Sequence, residues 1–162
     1  QLQEEDGAIG GAVQILSEAK SAIFIGRGIS SSLVQEGALK MMEVAYLPCI
    51  AYPGGALKHG PIALIEEGTP VIAIAPTDSS LSLMESSIRE CKTRGASVIL
   101  ITDNEGPIIQ FADVVIPSQS SHGDISPIVN VVPLQLLAYH LAESKGLSVD
   151  RPRNLAKSVT VV

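Results

Sequence analysis

The sequence has little of the material from which several classes of protein are built. It contains no tryptophan, only 3% aromatic residues and two cysteines in 162 residues. Cys49 and Cys91 lie far apart in the chain, and neither belongs to a CxxC pair or has a histidine at metal-ligand spacing. Neither a zinc site nor a disulfide framework is therefore indicated. We expect no metal ion, no cofactor and a reducing compartment.

Positive charge is also scarce. Eleven Lys and Arg residues against seventeen Asp and Glu residues give a formal net charge of −6, a poor basis for binding nucleic acid or an anionic membrane. The first residues are polar and acidic, unlike a signal peptide. The most apolar stretch, from Ile125 to Ala142, is interrupted by Pro127 and Pro133, whereas a membrane span needs about twenty mostly apolar residues. We therefore predict a buried helix here, in a cytoplasmic protein.

The chain nevertheless has enough apolar material for one core, since 46% of its 162 residues are hydrophobic. Short β-branched runs alternate with longer segments of helical character, which is the pattern of an α/β protein. We predict a five-stranded parallel flavodoxin-like sheet with helices on both faces. One domain is expected over residues 1–149, with an irregular tail over residues 150–162.

The predicted strands are Ala22–Gly26, Cys49–Ala51, Val71–Ala75, Ser97–Thr102 and Val114–Ile116. The predicted helices are Glu4–Lys20, Ser31–Leu47, Leu81–Arg94 and Ile125–Lys145, with short helical pieces at His59–Ile65 and Pro107–Ala112. Sheets of this kind bind ligands beyond the carboxyl ends of their strands. The segment Gly26–Ser32 follows the first strand and looks like a phosphate cradle, although its serines would also serve as ordinary N-caps.

Three ionisable residues stand on the otherwise apolar helix Ser31–Leu47. The spacing of Glu36, Lys40 and Glu43 puts all three on one face. One interpretation is a solvated stripe with a weakly stabilising Glu–Lys pair. The other starts from the helix being apolar nearly all round and therefore mostly buried, so that the charges pair in the core or face a pocket suited to proton transfer.

The stretch Gly54–Pro61 joins flexible glycines to a Lys-His pair and a proline that can open a helix. At the head of a short helix His59 would suit anion contact or proton shuttling, but the same pattern also fits a plain surface turn. His122, in a serine-rich loop, and His140, on the last helix, are weaker candidates. Lys157 is a lone amine in the tail, of chemical interest only if the tail docks.

Four motifs, in order along nearly the whole chain, carry a resemblance to a known family. They are Glu36–Lys40, Leu57–Pro61, Val132–His140 and Pro152–Val161. Together they closely resemble the second of the two sugar isomerase (SIS) domains in the glutamine–fructose-6-phosphate aminotransferase (isomerising) family, also called glucosamine-6-phosphate synthase. The resemblance implies an SIS fold, which agrees with the pattern of strands and helices.

The resemblance also implies chemistry. In that family fructose 6-phosphate opens its ring, forms a Schiff base with a lysine of the C-terminal tail, accepts ammonia at C2 and is isomerised to glucosamine 6-phosphate. By position, Lys157 would be the Schiff-base amine, with a backbone contact from Ala156, and Glu43 would move the proton between C1 and C2. Lys40 would support that transfer. His59 would assist ring opening in the active site of the neighbouring subunit, so a homodimer is implied.

Other features depart from the family pattern. The first SIS domain, whose Ser/Thr-rich loop holds the substrate phosphate, is not found. The segment Ser118–Ser121 superficially resembles that loop, but it follows the last strand instead of the second, so we assign it no phosphate role. The glutaminase part, which needs a cysteine as its first residue, is not found either, since the sequence begins with Gln1. Ala56 stands where many relatives have Glu, and Val162 replaces a common terminal Glu. We therefore expect the isolated chain to be inactive in the overall reaction.

Two alternatives belong to other classes of protein. The chain could be a stand-alone SIS module that binds a phosphosugar as a sensor or regulator, although a sensor needs neither Lys157 nor Glu43. It could also be a purely structural dimerisation domain, in which substitution of those two residues would change nothing measurable.

Overall fold

Five parallel strands form the centre of the computed structural model, which describes residues 2–119 and 125–155. They are β1 (Ala22–Gly26), β2 (Cys49–Pro53), β3 (Pro70–Ile74), β4 (Ser97–Thr102) and β5 (Val114–Pro117). Their order across the sheet is β2-β1-β3-β4-β5. The predicted parallel sheet with flavodoxin-like strand order is confirmed.

Helices cover both faces of this sheet. They are α1 (Leu2–Ser17), α2 (Ser30–Ala45), α3 (Leu81–Lys92) and α4 (Ser126–Ser144), with short 3₁₀ segments at Gly54–His59, Pro61–Leu64 and Pro107–Phe111. One core cluster joins α1, α2 and α4 to one face of the sheet, and a second cluster joins α3 and the 3₁₀ segments to the other. Strands β1 to β4 supply both clusters because successive side chains point to opposite faces, while β5 contributes Val114 and Ile116 to the first cluster.

Strand β3 shows how the sequence encodes two covered faces. Every residue of β3 is buried. Val71 and Ala73 contribute to the cluster with α3, while Ile72 and Ile74 contribute to the cluster with α1, α2 and α4. A near-continuous run of apolar residues is therefore required here, as is usual for strands of parallel sheets.

Helices α2 and α4 approach each other closely at a glycine. A Cβ placed on Gly37 would lie 2.8 Å from Leu134 Cδ2 and 3.2 Å from Phe24 Cε1. Only hydrogen fits at this point, so the contact fixes which side of α2 faces the core. Each helix also runs back antiparallel to the strand before it, and both helices therefore end at the amino edge of the sheet. Lys145 Nζ, just past α4, lies 3.5 Å from the Ala45 carbonyl oxygen at the end of α2.

Two expectations about helices need correction. The stretch His59–Ile65 is not one helix, because Gly60 adopts φ 141° and separates two 3₁₀ segments. His59 is consequently the last residue of a segment instead of the head of a helix. The expectation of a buried last helix holds for one side of α4 only, since Ile128 is 69% exposed and Val132 is 47% exposed. In the portion of the chain that is described, no helix is both long and apolar enough to cross a membrane.

Candidate active site

The three ionisable residues of α2 line the border between its buried and exposed sides. The side chains of Glu36, Lys40 and Glu43 are 40%, 32% and 23% exposed, respectively. The apolar residues Leu39 and Met42 beside them are 43% and 41% exposed. The interpretation in which α2 is buried nearly all round is therefore wrong on this side, because α4 covers the side that carries Gly37.

Within this stripe the ions form a tight pair and a looser one. Lys40 Nζ lies 2.6 Å from Glu43 Oε2 and 3.4 Å from Glu36 Oε1. The hydrogen bond to Glu43 raises the pKa of the Lys40 ammonium above its ordinary value, and partial burial, which lowers the pKa, does not cancel that effect. Lys40 thus stays cationic at neutral pH, donates to the Glu43 carboxylate and neutralises part of the charge around it.

The C-terminal tail arrives at the same end of α2. Tyr46, the C-cap of α2, accepts a hydrogen bond at its Oη from the backbone N–H of Arg153, with an N–O distance of 2.7 Å. The Arg153 guanidinium also lies over the Tyr46 ring, 4.2 Å from its centroid. Ala156 and Lys157 follow Arg153 by three and four residues but lie outside the described residues, so their predicted roles rest on this neighbourhood and on the resemblance.

His59 lies elsewhere in the same chain. It is exposed and ends the 3₁₀ segment that follows β2, at the carboxyl edge of the sheet. Glu43 lies in the last turn of α2, before β2, and therefore at the amino edge. Leu57 of this segment packs with α3, on the face opposite α2. The structure brings Lys40 and Glu43 together and keeps His59 of the same chain away from them.

The segment before His59 is held by Arg27, which lies within the predicted phosphate cradle Gly26–Ser32. Ser87 Oγ lies 3.3 Å from both Arg27 Nη2 and the Gly54 carbonyl oxygen. A Cβ on Gly55 would lie 3.2 Å from Arg27 Nη1. Lys58 Nζ adds an ion pair with Glu90 Oε1 of α3, at 2.7 Å. The guanidinium of Arg27 therefore supports the Gly54–Gly55 turn.

The predicted phosphate cradle at Gly26–Ser32 is not formed. The backbone amides of Ser30, Ser31 and Ser32 donate to carbonyl oxygens three residues earlier, at 3.0, 3.1 and 3.3 Å. Ser31 Oγ hydrogen-bonds the Gly26 carbonyl oxygen at 3.2 Å. These donors close the first turn of α2 instead of pointing towards an anion. The paired charges of Lys40 and Glu43 lie towards the opposite, amino edge of the sheet.

Of the remaining histidines, His140 is peripheral to this arrangement. His140 lies on the half-exposed side of α4, where its Nδ1 is 3.4 Å from Glu143 Oε2 and its ring stands edge-on to Tyr139. His140 therefore lies at the boundary between the core and the surface. His122 lies outside the described residues. The contact between Tyr46 and Arg153 had no sequence signal, since the two residues are 107 positions apart.

The five-stranded parallel sheet with helices on both faces is the fold of an SIS domain. The model of the SIS domain family matches residues 15–144, and the chain belongs to this family. Its sequence is similar to glutamine–fructose-6-phosphate aminotransferase (isomerising) from Thermococcus kodakarensis, with 46% identity over 98% of the chain and 26% of the relative. The enzyme of the same name from Neisseria meningitidis serogroup A is 44% identical over 91% of the chain and 24% of the relative.

A solved structure shows the same likeness. The C-terminal domain of glucosamine-fructose-6-phosphate aminotransferase from Francisella tularensis superposes with a TM-score of 0.80 at 35% identity, covering 93% of this chain and 42% of that one. The resemblance inferred from the four sequence motifs is thus confirmed. The chain spans about a quarter of the length of the two curated relatives described above.

Proposed function

We propose that this chain is the second SIS domain of a glutamine–fructose-6-phosphate aminotransferase (isomerising) and supplies side chains for conversion of fructose 6-phosphate to glucosamine 6-phosphate. The open-chain ketose condenses with the Lys157 amine to an imine at C2, releasing water. Ammonia derived from glutamine then replaces the lysine at C2. A proton leaves C1 and one is delivered to C2, which gives the amino aldose.

The observation that carries this proposal is the meeting of the tail with the end of α2 that holds Glu43. Arg153 contacts Tyr46, which is three residues after Glu43 and so about 5 Å further along the helix axis. Lys157 follows Arg153 by four residues, and its Cα therefore lies within about 14 Å of the Arg153 Cα. This upper limit allows the Lys157 amine and the half-buried Glu43 carboxylate to act on one substrate.

The environment of Glu43 suits a proton carrier. Its carboxylate is 23% exposed and is hydrogen-bonded at one oxygen by Lys40. The ammonium orients the carboxylate, and an imine at C2 makes the C1 proton easier to remove. Lys40 therefore acts through Glu43, as a positioning residue that also balances charge.

The placement of His59 favours a site shared between two copies of the chain. Because His59 lies at the opposite edge and face of the sheet from Glu43, it would reach a Glu43 site only from a second subunit. An imidazole can exchange a proton with the ring oxygen of the sugar. The proposal thus includes a homodimer, a first SIS domain that grips the phosphate and a glutaminase part that provides ammonia.

The test is a chimera with one of the relatives described above. The region of the Thermococcus kodakarensis enzyme that matches this chain is replaced by this chain, and formation of glucosamine 6-phosphate from fructose 6-phosphate and glutamine is measured. Reduction with cyanoborohydride in the presence of fructose 6-phosphate, followed by peptide mass spectrometry, shows which lysine forms the imine. We expect product formation and an adduct on Lys157.

Matched variants make the result specific. Lys157→Arg should abolish the adduct and the product, whereas Lys20→Arg, which changes an exposed lysine at the same edge of the sheet, should retain both. A folded chimera that binds fructose 6-phosphate without product or adduct would support the sensor alternative. If neither Lys157→Arg nor Glu43→Gln changed product formation by the chimera, only a structural role would remain for this chain.

A further inference from the structure

The C-cap of α2 has an unusual backbone conformation for its residue type. Tyr46 has φ 54° and ψ 28°, in the left-handed region. Glycine is the usual residue at such a helix end, because a side chain there costs energy. A tyrosine held in this conformation therefore calls for a role of its side chain.

That side chain makes two different contacts with one residue of the tail. The Tyr46 hydroxyl accepts the Arg153 backbone N–H at 2.7 Å, and the ring carries the Arg153 guanidinium at 4.2 Å. Pro152 and Asn154 flank this residue, and Asn154 itself adopts φ 60°. A fixed proline φ before Arg153 and a left-handed residue after it turn the chain at the contact.

Little else holds this part of the tail. Arg151 and residues 153–155 are exposed. Among the described residues, the bond to Tyr46 is the sole hydrogen bond that residues 148–155 make. Leu147 and Val149 pack partly against the core upstream, so Arg153 is the last described point at which the tail is tied to the domain.

We propose that Tyr46 is a positioning residue: by holding Arg153 it aims the C-terminal tail, and with it Lys157, at the carboxylate of Glu43. This inference rests on the proposed function, in which Lys157 forms the imine. The anchor is four residues before Lys157 on the tail and three residues after Glu43 on α2. A shift of the anchored residue would therefore displace the amine relative to the carboxylate directly.

The sharpest test replaces Tyr46 by the residue that its backbone prefers. Tyr46→Gly removes both contacts but suits the left-handed conformation, so a merely structural C-cap would be preserved or improved. We expect an unchanged or higher Tm for the chain. We also expect imine trapping on Lys157 in the chimera to slow roughly ten-fold, the combined effect of a lost hydrogen bond and an exposed cation–π contact.

A more conservative pair of variants separates the hydroxyl from the ring. Tyr46→Phe keeps the ring and removes the acceptor, so trapping should slow by about three-fold. Tyr139→Phe is the matched control, because it removes a hydroxyl bonded to Glu143 at 2.8 Å on α4 without touching the tail. The trapping rate in this control should equal that of the unsubstituted protein.

A second measurement distinguishes failure of this inference from failure of the proposed function. Trypsin cleaves the peptide bond between Arg153 and Asn154. Loss of the Tyr46 contact in Tyr46→Gly should make this bond more accessible and speed its cleavage roughly ten-fold, while the Tm is unchanged. Faster cleavage with slower trapping supports the proposal. Unchanged cleavage and unchanged trapping overturn the anchor but leave the function standing. Faster cleavage in a protein that forms no adduct keeps the anchor and overturns its role in catalysis.

Discussion

The ammonium of Lys40 lies 2.6 Å from the carboxylate of Glu43, one turn further along α2, and this pair is tighter than the 3.4 Å contact of Lys40 with Glu36. Both partners are more than half buried by their neighbours, so the interaction is less screened than a fully exposed ion pair. The result is an oriented carboxylate next to the place where the tail meets the domain. Several measurable properties depend on this relationship.

The first prediction concerns the titration of Lys40. Because the hydrogen bond to Glu43 is the largest cause of its raised pKa, Glu43→Gln should lower the Lys40 pKa, and by more than Glu36→Gln does. Heteronuclear NMR of the lysine side chain gives both values. An equal effect of the two substitutions would contradict the ranking of the two contacts.

The same pair predicts a dependence of stability on alkaline pH. The folded-state pKa of Lys40 is raised above its ordinary value of 10.5. Its contribution to the free energy of unfolding is therefore fully present below that ordinary value and lost as pH rises through the folded-state pKa. Urea unfolding should show a smaller alkaline loss in Glu43→Gln than in the unsubstituted chain; parallel curves would exclude a contribution from this pair.

A third prediction separates proton transfer from imine formation. In the chimera, Glu43→Gln should slow exchange of the C1 hydrogen of fructose 6-phosphate with deuterated water by about 10²–10⁴-fold, as expected for loss of a general base. The Lys157 adduct should still form, because its nucleophile is untouched. Glu143→Gln, a surface change on α4, is the control for both readings. An unchanged rate of C1 exchange in Glu43→Gln would show that another group removes the C1 proton.

Packing of α2 against α4 gives a fourth prediction. Gly37→Ala adds a Cβ 2.8 Å from Leu134 Cδ2 and should destabilise the chain by about 1–3 kcal/mol in urea unfolding, as overpacking does. Gly10→Ala, in α1 with no neighbour within 4 Å of its Cβ, should instead stabilise by about 0.5–1 kcal/mol. Combining Gly37→Ala with Leu134→Ala should cost less than the sum of the two single changes.

The cysteines allow a fifth prediction. Burial raises the pKa of Cys49 and of Cys91 to about 12, so both thiols stay protonated near neutrality and are shielded from reagents. Iodoacetamide at pH 8 should modify neither residue in the folded chain and both in urea, as read by peptide mass spectrometry. Rapid labelling of either thiol in the native chain would show that its surroundings open readily.

Much of the fold was predictable because it is encoded locally. The five apolar runs correspond to the five strands, and the strand order follows from short right-handed crossovers. The break at Gly60 was missed, since a φ of 141° depends on the path that the chain must take between two segments. The exposed side of α4 was missed as well, because an apolar residue looks the same in sequence whether or not a neighbour covers it.

The candidate site divides in the same way. The sequence by itself determined the shared face of Glu36, Lys40 and Glu43, since helical periodicity fixes neighbours three and four residues apart. Only the tertiary structure decided that Tyr46 meets Arg153, that Arg27 supports the turn before His59, and that His59 lies away from Glu43 in its own chain. These relationships join residues far apart in sequence, and their distances depend on how whole elements pack.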